Sequence, residues 1–375
     1  MRREFVVLLL CLTAGAPALA NPEDDKLAAL FQKYLDDDAK RHPVEASRLG
    51  DYRHADRMND LSPRARAAGL EATREWLAKL GKEIDESKLS RAGVIDIEIF
   101  RHDLRYQIWL GENTRRFEED PRAWNDYLVD SVFLLFTQST LDKPAVARLA
   151  SARVEAVPRV IADAKASIKK PLRPHLETAI RQNRGAIAFY EKGIFDASGE
   201  TPQLSALAKP CKAAADALRE YQKFLEGLLP EATDSWRIGK EKFAKKLEFE
   251  LDAGMTADEV LKEAEAEADR VRRDMYVVAR QLWHKTHPGQ PLPPDDERGR
   301  RETIQRVLAE LGKDRSTAAT VVKDVKDSVE EIRKFMKAND IVRLPAPARC
   351  EIFEMPESRR GNSTAYLNPA PPLDP

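Results

Sequence analysis

Thr256-Ala257-Asp258-Glu259, followed by Leu261, Ala264, Ala268, Val271, Met275, Val278 and Leu282, is the stretch that decides the fold class. Thr and Glu three apart form a capping box, in which hydroxyl and carboxylate satisfy each other's exposed backbone N–H groups. The apolar residues behind it recur every three or four positions, so they share one helical face, and the small Ala264 and Ala268 admit a second helix at close range. The opposite face is rich in Glu, Asp and Arg and belongs in water. A second stripe, Val322, Val325, Val329, Ile332 and Met336, follows an expected N-cap at Ser316, and the two helices are expected to pack together.

The same spacing runs back through the chain. It predicts helices over Asp24–Arg41, Pro63–Leu80, Leu89–Arg116, Pro144–Lys169, His175–Lys192 and Leu204–Leu229. Pro63 and Pro144 suit first turns, where the missing N–H costs nothing, whereas Pro158 predicts a kink or break. Gly193–Pro202 and Gly289–Pro294 are rich in breakers and read as loops. Period-two alternation is confined to Cys350–Met355, which reads as a short strand inside a proline-rich segment. The expected fold is therefore all-α in bulk, a multi-helix array with a short β segment near the C-terminus. The expected division is a signal peptide at 1–20, a helical domain at 21–340 and a Pro-rich segment at 341–375.

At the N-terminus Arg2 and Arg3, the apolar run Phe5–Leu12 and Ala18-Leu19-Ala20 match the three parts of a secretory signal, which places the start of the mature chain at Asn21. Lipid attachment at Cys11 is not expected, because the bulky Leu10 stands where a small residue is required. No stretch is long and apolar enough for a stable membrane span. The formal net charge is −1, and basic and acidic residues interleave, so nucleic acid is not an expected partner. Beyond the signal only Cys211 and Cys350 remain, too few for a cysteine zinc site but enough for one disulfide.

Chemistry-bearing motifs are sparse. His284 and His287 lie three apart, close enough to share a metal, but no third ligand is signalled and a solvated helix terminus is the simpler reading. His-Glu-x-x-His, Gly-x-Ser-x-Gly, a phosphate loop and a calcium loop are absent from the sequence. No catalytic or metal-binding residue is assigned.

Three stretches carry a resemblance: His42-Pro43-Val44-Glu45-Ala46-Ser47-Arg48-Leu49-Gly50-Asp51; Ile238–Phe243 through Leu247 to Gly254–Glu259; and Met355-Pro356-Glu357-Ser358-Arg359-Arg360 through Ala365-Tyr366 to Pro371. In this order they resemble the bacterial "domain of unknown function 885" family, whose members are similar to zinc metallopeptidases. The resemblance implies the N-terminal helical portion of an exported metallopeptidase-like hydrolase. In that family the zinc helix lies downstream of the third stretch, so this chain is expected to be inert alone, with zinc required only by the part that follows. It also implies a peptide substrate, bound by strand addition along Asn362, Ala365 and Tyr366. A helical binding or scaffold module of the cell envelope, without catalysis, is the alternative.

Overall fold

Asn21 caps the first helix, its Oδ1 accepting from the N–H groups of Glu23 and Asp24, while its Nδ2 donates to Lys88 O. In the computed structural model, residues 21–199, 204–344, 350–361 and 365–373 are described. The helices are α1 (Pro22–Arg41), α2 (Pro43–Arg48), α3 (Pro63–Glu83), α4 (Arg91–Asn113), α5 (Arg116–Glu119), α6 (Arg122–Thr137) and α7 (Lys143–Ser167). They continue with α8 (Arg173–Ala188), α9 (Ile194–Ser198), α10 (Leu204–Gly227), α11 (Lys240–Leu251), α12 (Ala257–Thr286), α13 (Glu297–Leu311) and α14 (Val321–Ala338). The protein is an all-α array. Cys350–Met355 makes no strand pairing among the described residues, and the β-bridge that occurs there joins Leu172 to Thr233. A lone alternating run without a partner strand has nothing to pair with, which corrects the expected β segment.

The chain divides into two compact units, one of residues up to Ile238 together with Met355 onward, the other Gly239–Glu354. In the first, α6, α7, α8 and α10 enclose the larger core, which holds Trp124, Leu128, Val154, Val157, Leu176, Tyr190 and Leu218 at 0% exposure. α1, α3 and α4 enclose a smaller one, where Tyr34 meets Trp76 edge to face at 5.5 Å. α6 carries little helical stripe because it is buried on nearly every side, as a helix apolar all round should be. α7 runs through Pro158 without a break. An internal proline costs a helix about 3 kcal/mol, and here Val154, Val157, Val160 and Ile161, all buried around it, outweigh that cost.

In the second unit the capping box at Thr256 forms as the sequence requires, with Glu259 N donating to Thr256 Oγ1 and Thr256 N donating to Glu259 Oε2. The partner of α12 is α13, not the helix behind Ser316. Their contact buries Ala279, Trp283 and Val307 against Leu282, Leu292 and Ile304. α14 starts at Val321 behind Thr320 and buries none of its stripe. Cys211 is buried, Cys350 is exposed, and both are free.

Candidate functional site

The polar residues of α6 draw the early and late stretches of the sequence to one place. Asn125 Nδ2 donates to Ala179 O of α8 at 2.6 Å, and Tyr127 Oη accepts from the backbone N–H of Asn59 at 2.6 Å. Arg153, projecting from α7, donates to Ser131 O of α6 at 2.5 Å, to Ser47 Oγ at 2.8 Å and to Pro43 O at 3.2 Å. That guanidinium therefore ties Pro43–Asp51 to α6. From the other end, Arg359 pairs with Asp130 at 3.3 Å, and both side chains are buried.

Around that ion pair the described residues of 355–361 and 365–373 are laid on the helices by backbone contacts. Ser358 N sits where a Cβ on Gly185 would be, 2.4 Å from that position, so α8 needs glycine there for the segment to approach. Gln182 Nε2 donates to Arg360 O, Gln138 Nε2 to Pro369 O, and Leu373 N to Leu49 O at 2.8 Å. The Arg359 guanidinium also lies 4.0 Å over the ring of Tyr366, a cation–π contact.

Asp126 sits one helical turn before Asp130. Burial pushes its carboxyl up to about 6, and repulsion from Asp130 adds to the shift, while Arg116 and Arg359 oppose it. Because the folded pKa lies above the unfolded one, ionisation opposes folding once pH passes about 4, and the loss is complete above about 6. Asp126→Asn should therefore stabilise the protein at pH 7 by about 3 kcal/mol, an order-of-magnitude figure, and should have little effect below about pH 4. Urea denaturation of both forms between pH 4 and 8 checks this; a constant difference across that range would contradict it.

Of the residues singled out from the sequence, Asn362 lies outside the described residues. Ala365 is exposed, and Tyr366 is half-buried beneath Arg359, both outside any helix or strand. His284 is exposed, whereas His287 is buried and stacked on Trp283 at 4.3 Å with Nδ1 against Thr286 Oγ1. Three apart in sequence, the two imidazoles thus face different surroundings. Among the described residues no group of three His, Cys, Asp or Glu side chains is placed to hold a metal ion. A zinc site takes about three or four such donors, so the described residues do not fit zinc. Asp126, Asp130, Arg153 and Arg359 belong to no chemical motif in the sequence. Their signal is polar and charged residues set inside apolar runs, as in Trp124-Asn125-Asp126-Tyr127-Leu128-Val129-Asp130.

The site and fold define an all-helical protein in which an early and a late segment converge on one buried helix. The chain belongs to the DUF885 family, described as bacterial protein of unknown function, which matches residues 43–375. A solved structure of a candidate lipoprotein of unknown function from Shewanella oneidensis is similar in fold, with a TM-score of 0.65 and 22% identity over 85% of this chain. The chain spans 58% of that protein's length. A local similarity to transcription factor TGA7 of Arabidopsis thaliana, 30% identical over 111 residues, covers 28% of this chain and 30% of that one. No helix among the described residues is long and apolar enough to cross a membrane.

Proposed function

We propose that this chain is the helical, peptide-binding portion of an exported metallopeptidase-like hydrolase, with Asn362, Ala365 and Tyr366 in the substrate-binding stretch. The observation that carries the reading is the anchoring of the family's late stretch: the buried Arg359–Asp130 pair and the Gly185 contact fix Met355–Arg360, and Ala365 emerges exposed beyond it. A segment fixed at its base suits recognition of a peptide backbone, because less ordering entropy remains to be lost on binding. Metal-activated water would come from residues other than those described here.

The purified chain should bind unstructured peptides saturably without cleaving them. Tyr366→Ala should weaken binding about tenfold, the order expected for losing one well-placed aromatic contact. Fluorescence anisotropy against a panel of labelled peptides, with mass spectrometry for products, measures both. Absence of saturable binding, or binding indifferent to Tyr366→Ala, would remove the peptide site. Reading the gene past the codon for Pro375 tests the hydrolase half: an in-frame His-Glu-x-x-His supports it, and a stop codon without one leaves the helical binding module.

A further inference from the structure

Arg153 is 1% exposed, and each of its described hydrogen bonds goes to a neutral acceptor: Ser131 O, Pro43 O and Ser47 Oγ. Among the described residues no carboxylate forms an ion pair with it, and its Nε has no hydrogen-bond partner. Glu45 and Asp56 act on it only through space, and burial lowers its pKa to about 10, which still leaves the guanidinium charged at neutral pH. A buried charge without a counter-charge is costly, so something must compensate it.

Arg153 lines a cavity of about 10 Å³ whose other walls include Ser47, Arg48, Ser139 and Asp130. A space of that size admits one water-sized species and excludes phosphate, sulfate or a peptide carboxylate. Ser139 Oγ accepts from Leu141 N, so its own proton is left for a further acceptor. The Ser47 hydroxyl, by contrast, already donates to Val44 O. Asp130 is the acid of the wall, and it is drawn to Arg359 on its other side. The wall thus carries two guanidinium groups, Arg153 and Arg48, and its one carboxylate, Asp130, is shared with a third, Arg359.

We propose that this cavity binds one small monovalent inorganic anion, chloride being the prototype, between Arg153, Arg48 and the Ser139 hydroxyl. The anion supplies the counter-charge that Arg153 lacks, at the point where Pro43–Asp51 meets α6. This assignment does not depend on the peptide-binding reading.

The test is thermal unfolding of the full chain in sodium chloride, bromide or gluconate at equal ionic strength. Chloride and bromide should raise the midpoint saturably, and gluconate, too large for the cavity, should not. Ser139→Ala should weaken the apparent chloride affinity roughly fivefold, as loss of one hydrogen bond does. Arg153→Met should abolish the chloride-specific rise; if that variant fails to fold, Ser139→Ala and anomalous scattering from bromide-soaked crystals decide. Superimposable titrations in chloride and gluconate, or a water in the cavity of bromide-soaked crystals, would overturn the assignment.

Discussion

Arg359→Ala should free the segment Met355–Leu373 from the helices and destabilise the first unit by about 3–5 kcal/mol, the usual cost of removing one partner from a buried ion pair. The penalty falls on Asp130. It would be left buried one turn from Asp126, whose carboxylate repels it. Loss of the cation also strips Tyr366 of the group stacked on it. Limited proteolysis should show new cleavage within 355–373, and urea denaturation a lower midpoint. Adding Asp130→Asn should recover part of the stability, because the orphaned charge is then gone. If protease resistance and midpoint are both unchanged by Arg359→Ala, the pair does not hold the segment.

Trp283→Ala should dissolve the packing of α12 on α13. The side chain is completely buried in a cluster whose other buried members are Ala279 and Val307, its Nε1 donates to Gln290 O, and His287 and Arg306 lie against its faces. Truncating a buried tryptophan costs about 3–5 kcal/mol, more than so small a cluster can absorb. Near-UV circular dichroism should lose the Trp283 contribution, and amide exchange should accelerate throughout α12 and α13. Exchange around the core of Trp124 and Val157, which belongs to the other unit, should be unaltered. Retained protection in α12 would show that something other than this cluster holds it.

The helices legible in the sequence were those with one wet face. α1, α3, α4, α7, α8 and α10 fall close to their expected spans, and the Thr256 capping box is present atom for atom. α6 was not read because a helix enclosed on nearly all sides has no polar face to set its period. α13 was missed although Ile304, Val307, Leu308 and Leu311 keep helical spacing; the prolines before it and the charges through it obscured the stripe. Pairing was less legible than helix formation, since nothing in a stripe names its partner, and α12 chose α13 over α14. The site was less legible still. Arg359 stood inside a stretch singled out for its order and not for its chemistry, and its acid, Asp130, lies more than two hundred residues earlier.

The first unit is assembled from chain segments lying on either side of Gly239–Glu354. A ribosome makes about 5–20 residues per second, so roughly 10–45 seconds pass between the emergence of Asp130 and that of Arg359. Through that interval the buried acid of α6 faces a slot with no occupant, and Gly185 offers a groove with nothing in it. Closing it demands a loop spanning the entire intervening unit, the kind of distant contact that slows folding. The newborn protein therefore passes through a stage in which its helices are formed but their seam is open, and this is the stage most exposed to proteases.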